Sequence, residues 1–265
     1  PFYEPIEEIA LIKFGNIVQN MFDTGKNPVV VSDLDLTLTY RDQQDKYATL
    51  DSVAKSIADI LRNGGKFIVL TGNKKDRVDT RVLEGVKKEL GEDDKYLQNF
   101  YIFPRYASEV WIYDGEKHDF VKTVLSVFQI KDRDAFIGEL KELITAFNKQ
   151  HSEFKLETEL SIQDQLIVED SVITLKGLGR SKPFRKSIDP EGVLGTEFTD
   201  KVLKYLESRS GEFDVIYSDK IDATIDILPK GLNKGKAIET ISQYLGLNED
   251  SIIYFGDQFN ETGND

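Results

Sequence analysis

The chain has no cysteine, which excludes disulfides and thiolate metal sites and leaves oxygen ligands as the chemistry for any bound metal. That composition fits a cytoplasmic protein. No apolar run approaches the roughly 20 residues a membrane helix needs, and the N-terminus lacks the basic-then-apolar order of a secretory signal. We therefore expect a soluble, intracellular protein without a membrane partner. With 34 Lys and Arg against 47 Asp and Glu, the formal charge is -13. Such a surface argues against nucleic acid, whose phosphate backbone is gripped by clustered Lys and Arg, but it leaves small phosphorylated ligands open. Internal repeats and low-complexity tracts are absent. The chain opens at Pro1 without Met and stops in a polar run at 261–265, which reads as a piece of something longer. What is present, 265 residues at 40% hydrophobic content, suffices for one large domain or two smaller ones.

The organising stretch runs from Val29 to Thr39. Val29, Val30 and Val31 follow Pro28 as a continuous β-branched run, the pattern of a parallel strand covered on both faces. It ends in Asp33 and Asp35, where open α/β sheets place their ligands. Unpaired carboxylates there are costly, and a Mg²⁺ ion offsets the repulsion because hard cations take carboxylate oxygens.

Upstream, Ile6, Ile9, Ala10, Ile12, Phe14, Ile17, Val18 and Phe22 predict a helix over about 5–22. A second helix is expected over about 50–63, stopped by Asn63, Gly64 and Gly65. The apolar run 66–70 predicts another strand, ending in Thr71, Gly72 and Asn73, and a helix over about 76–90 whose first amides favour an anion. Residues 97–116 read as strands with an Asp114-Gly115 hairpin signal.

From 118 to 228 the pattern changes. It predicts a helix near 132–148, alternating segments at 154–160, 165–169 and 171–176, a loop over 177–192, a helix near 197–208, and strands near 213–217 and 221–228. Helices segregated from paired strands suggest an inserted α+β domain. The expected division is 1–117 and 229–265 for the α/β core, with 118–228 inserted. A helix from Lys234 to about 245 then feeds a third buried strand at 251–257 that again ends in an acid, Asp257. Gly231 and Gly235 do not make a phosphate loop, since three residues separate them and Ala237 replaces the required hydroxyl.

The order Asp33-Leu34-Asp35-Leu36-Thr37, then Thr71-Gly72-Asn73, then Lys234, then Asp257 with Asn260, Asn264 and Asp265 resembles the four motifs of the haloacid dehalogenase superfamily of phosphoryl-transfer enzymes. The resemblance covers nearly the whole chain. It implies a Rossmann-like parallel-sheet core with a large α+β cap inserted between the second and third motifs. It also implies that Asp33 attacks phosphorus to form an aspartyl-phosphate and that Asp35 is the acid and base. Thr71 and Lys234 would hold the transferring oxygens, with Gly72 and Asn73 lining the substrate. Mg²⁺ would sit on Asp33, the Asp35 carbonyl and Asp257.

Within the superfamily, residues 172–181 and 226–234 and the last motif are similar to eukaryotic-type phosphomannomutase. That similarity assigns Arg180, Thr224 and Asp226 to a sugar phosphate. Three positions depart from the mutase: Glu169 stands where it has a phosphate-binding Arg, Leu36 where it has Gly, and Thr71-Gly72-Asn73 resembles the phosphatases. We therefore expect a Mg²⁺-dependent phosphatase acting on a sugar phosphate or similar small phosphomonoester. A phosphomannomutase and a catalytically silent phosphate-binding protein are the alternatives, and oligomeric state is left open.

Overall fold

In a computed structural model, the described residues are 20–23, 27–35, 37–41, 47–126, 130–179, 181–217, 220, 223–248 and 251–256. Of the helix expected over 5–22, residues 20–22 are helical, and the rest lie outside the described residues. The chain divides into two compact units, one drawn from Pro1–Leu125 and Ala237–Phe259, the other from Ser126–Lys236.

The first unit is built on strands β1 (Val29–Ser32), β4 (Lys66–Leu70), β5 (Phe100–Phe103), β6 (Glu109–Asp114), β7 (Asp119–Val124) and β12 (Ile252–Phe255), in the order β12-β1-β4-β5-β6-β7. The first four in that order are parallel, and β6 and β7 are antiparallel. Because β1 pairs with β12 on one side and β4 on the other, Val30 stands opposite both Ile253 and Phe67. The small ribbon β2 (Tyr40–Arg41) and β3 (Tyr47–Ala48) follows β1.

Helix α1 (Asp51–Arg62) buries Ala54, Ile57, Ala58, Ile60 and Leu61 against Val30, Phe67 and Val69. It stops at Asn63, whose amide donates to the Asp59 carbonyl at 2.8 Å, before Gly64 takes a left-handed φ of +81°. The next helix is interrupted, with α2 (Lys75–Val78) and α3 (Glu84–Leu90) joined through a π-helical turn, Asp79–Leu83. On the opposite sheet face, α7 (Lys234–Leu245) places Ala237 and Ile241 beside Val29 and Val31. Residues on both faces of β1 are thus covered, which is why its sequence is continuously apolar.

The boundary expected at 117–118 falls in the turn between β6 and β7. Pairing of Tyr113 with Phe120 carries the first unit on to Leu125.

The second unit holds the antiparallel sheet β10 (Phe213–Ile216), β11 (Thr224–Pro229), β9 (Ile173–Lys176) and β8 (Leu166–Val168), in that order. Phe136, Leu140, Ile144 and Phe147 of α4 (Arg133–Gln150) pack with Leu194, Phe198, Val202 and Leu206 of α6 (Val193–Glu207) on Ile173, Leu175, Ile225 and Ile227. Two sequence expectations change here. Residues 154–160 form helical turns, Ser152–Phe154 and Leu156–Glu159, because Leu156 and Leu160 satisfy a helical spacing as well as alternation and Lys155 is left-handed. Within the expected loop 177–192 lies α5 (Lys182–Ile188), where the Ser181 hydroxyl accepts the Phe184 N–H and Pro183 sits in the first turn.

A buried amide pair ties this unit together: Asn148 donates to Gln165 at 2.8 Å, and Gln165 donates back to Asn148 at 3.0 Å and to the Gly177 carbonyl at 2.6 Å. A Cβ on Gly177 would lie 2.3 Å from the Phe198 ring, which is fully buried. Gly177→Ala should therefore lower stability by about 1–3 kcal/mol through overpacking. Chemical denaturation of the variant and of Gly177→Ala with Phe198→Leu, where part of the loss returns, checks this.

Burial, with help from the Asp94 carboxylate, pushes the Tyr113 hydroxyl from 10.0 up to about 12. A tyrosine that holds its proton more tightly when folded stabilises the fold below its unfolded value and loses that contribution as pH rises through the folded one. Wild type should lose stability between 10.0 and about 12 more steeply than Tyr113→Phe, as read by denaturation midpoints across that range.

Candidate active site

β1 is the point where the sheet reverses its winding, with α1 on one face and α7 on the other. Crevices outside the carboxyl ends of strands at such a point are where α/β sheets bind ligands. Asp33 follows β1 directly. Its N–H donates to the Phe255 carbonyl at 2.8 Å, so β12 extends its hold one residue past the strand, and only 5% of Asp33 is exposed.

The chain does not continue extended. Leu34 is pulled fully into the core with Leu38, whose N–H donates to the Leu34 carbonyl at 3.1 Å, while Thr39 Oγ1 donates to the same carbonyl at 3.2 Å. Asp35 is consequently carried by a turn.

The end of β4 faces this turn. Thr71 is buried, its N–H donates to Phe103 at 3.1 Å, and its Oγ1 accepts the Asn73 N–H at 3.1 Å. The Asn73 side-chain amide donates to Asp35 Oδ2 at 2.7 Å and to Thr71 Oγ1 at 3.3 Å, so it links the two loops. The other oxygen, Asp35 Oδ1, pairs with Arg81 Nη1 from the π-turn. Asp33, Asp35, Thr71, Gly72 and Asn73 thus occupy adjoining ends of β1 and β4.

Gly72 has its own requirement. A Cβ there would fall 2.7 Å from Tyr106 Cζ, and the Gly72 carbonyl accepts Arg105 Nη1 at 3.0 Å. Arg105, Tyr106 and Ala107 are all left-handed, at φ of 53°, 57° and 61°. Left-handed helical turns cost roughly 1–2 kcal/mol per residue outside glycine, and they persist where surroundings over-determine them. Here the Tyr106 N–H donates to the Thr71 carbonyl at 3.0 Å and the Arg105 N–H to Asn73 at 3.2 Å.

Lys234 is the buried first residue of α7. Thr224 and Asp226 belong to the second unit, on β11. Thr224 is registered opposite Lys176, and the Asp226 carboxylate accepts the Thr174 hydroxyl at 2.6 Å. Arg180 and Asp257 lie outside the described residues. Among the described residues, no group of three or more Asp, Glu, His or Cys gathers in a metal-binding arrangement. The Asp33 carboxylate and the Asp35 backbone carbonyl are hard oxygens, the donor class that suits Mg²⁺.

Sequence reasoning missed Arg81 and the left-handed turn. Arg81 lies 46 positions from Asp35, and nothing in its local pattern separates it from a solvated helix arginine. Pro104 does mark a turn, but its handedness has no sequence signal.

A family model described as haloacid dehalogenase-like hydrolase matches residues 30–262. No curated protein matches the sequence. Among solved structures, a haloacid dehalogenase-like hydrolase from Bacteroides thetaiotaomicron is similar at a TM-score of 0.57 and 13% identity, over 88% of this chain and 83% of its own. The IMP-nucleotidase of Plasmodium falciparum is similar at 0.57 and 15% identity, over 88% and 59%. Its IMP-bound, N-terminally truncated form gives 0.53 and 13%, over 90% and 61%. The chain therefore spans only 59–61% of those nucleotidase chains, and likeness at such identities shows the fold.

Gly72→Ala should destabilise the first unit by about 1–3 kcal/mol, since the ring of Tyr106 is buried and must give way. Thermal unfolding of Gly72→Ala beside Gly72→Ala with Tyr106→Leu, which removes the obstructing atoms, should show partial recovery in the double variant.

Proposed function

The chain belongs to the haloacid dehalogenase-like hydrolases, and on that premise we propose that it is a Mg²⁺-dependent phosphatase hydrolysing a sugar phosphate or similar small phosphomonoester. The observation that carries this reading is the buried Asp33 at the carboxyl end of β1, beside an Asp35 carboxylate held by Asn73.

Asp33 attacks phosphorus, and the bond to the leaving oxygen breaks as that oxygen takes a proton from Asp35. The Asp35 carboxylate then accepts a proton from water, whose oxygen attacks the aspartyl-phosphate. Phosphate departs, and both aspartates return to their starting states. Thr71 and Lys234 hold the oxygens of the transferring phosphoryl group, where positioning and charge supply most of the acceleration. Asp33, the Asp35 carbonyl and Asp257 would hold Mg²⁺, which would supply neutralisation of phosphoryl charge.

In the inserted domain, taken as the cap, Arg180, Thr224 and Asp226 are assigned to the sugar. The negative charge of Glu169, where a mutase carries arginine, favours hydrolysis over transfer, because a second substrate phosphate would be repelled there. A cytoplasmic location agrees with the absence of cysteine. No helix of the described residues is long and apolar enough to cross a membrane.

Turnover of a panel of phosphate esters, sugar phosphates and a nucleoside monophosphate among them, with and without Mg²⁺, tests the proposal. Asp33→Asn should abolish turnover and aspartyl-phosphate formation while the fold survives. Asp35→Asn should slow alkyl esters far more than an aryl ester whose leaving group needs no proton. Equal losses on both esters would restrict Asp35 to the metal, and phosphate release by pure Asp33→Asn would remove the nucleophile assignment.

A further inference from the structure

Both oxygens of the Asp35 carboxylate are engaged from a single side of the sequence, Oδ2 by Asn73 and Oδ1 by Arg81. The two donors differ in what holds them. Asn73 belongs to the loop after β4, anchored through Thr71. Arg81 projects from a π-helical turn between α2 and α3, and its side chain is 12% exposed against 33% for Asp35. A π-turn inserts one residue into a helix and is frequent at functional sites because it re-aims side chains. Here Val78, Val82, Leu83 and Val86 keep their places in the core around the turn, so the extra residue is accommodated without loss of packing. Lys75 braces the turn from below, pairing with Asp79 at 2.6 Å while lying 5.0 Å from the Trp111 ring centre.

From this geometry we propose that Arg81 is a positioning residue for Asp35: it fixes the plane of the carboxyl group so that one of its oxygens faces first the leaving oxygen it protonates and then the water it deprotonates. The inference rests on the phosphatase reading above. Two donors on two oxygens remove the rotation of the carboxylate about its own axis, which a single donor leaves free. A displacement of about 1 Å in a reacting group is enough to cost on the order of 100-fold in rate.

Steady-state kinetics of the full chain with Mg²⁺ on an alkyl and an aryl phosphate decide the matter, using Arg81→Met, Arg81→Lys, Asp35→Asn and the double variant Arg81→Met with Asp35→Asn. Arg81→Met should lower kcat on the alkyl ester by about 10- to 100-fold, change KM little, and affect the aryl ester less. Arg81→Lys should recover part of the loss. The double variant should be no slower than Asp35→Asn alone, because residues acting as one unit are not additive. A crystal structure of Arg81→Met should show the Asp35 carboxylate turned away from its wild-type orientation, a readout independent of turnover.

Additive losses, a rise in KM with kcat intact, or an unmoved Asp35 in that crystal structure would each overturn the proposal, the second by making Arg81 a substrate ligand. If the wild type hydrolyses no ester, the phosphatase reading falls and takes the positioning role with it. If the wild type is active and the cycle is additive, only the positioning role falls.

Discussion

The core depends on β1 being closed on all sides. It is hydrogen-bonded to β12 and β4 along both edges and covered by α1 and α7 on both faces, so its valines have nowhere to go but the interior. A strand so enclosed opens to solvent only at its end. Asp33 stands at that end, still tied to β12 through the Phe255 carbonyl, so the backbone that carries it is as constrained as the strand itself. In the proposed phosphatase, where Asp33 is the nucleophile, that constraint matters because the rate advantage comes from being held in place before substrate arrives.

The surrounding loops are fixed by each other rather than by secondary structure. Asn73 bridges Thr71 and Asp35, and the left-handed turn after β5 returns two backbone N–H groups and an arginine to the carbonyls of Thr71, Gly72 and Asn73. The conformational cost of that turn is offset by hydrogen bonds in the same place where the loops must stay rigid. Gly72 is the meeting point, since its missing side chain lets Tyr106 close over it.

The inserted unit has the opposite economy. Its sheet turns Ile173, Leu175, Ile225 and Ile227 toward two helices. The alternation of a strand then assigns Thr174, Lys176, Thr224 and Asp226 to the other face, where the Thr174 hydroxyl and the Asp226 carboxylate pair. One sheet thus carries an apolar side packed on the helices and a polar side. In a chain with a net charge of -13, a lysine on that polar side is a local reversal of sign.

Local pattern alone determined much of this. The valine run at 29–31, the amphipathic helix ending at Asn63-Gly64, the strand ending at Thr71 and the helix starting at Lys234 all reappear in the structure, because each rests on apolar periodicity and turn residues within a short window. The spacing of Asp33, Thr71, Lys234 and Asp257 was enough to point to the family that the match over 30–262 establishes. Tertiary structure decided the rest. Segment 154–160 was ambiguous because a spacing of four serves a helix as well as a strand, and only packing of Leu156 chose. That β7 stays with the first unit depended on pairing with β6. The left-handed backbone at Arg105–Ala107 and the ion pair from Arg81 to Asp35 are set by contacts between residues tens of positions apart. No local window holds both partners, so the sequence could announce a carboxylate site without saying what holds its second carboxylate still.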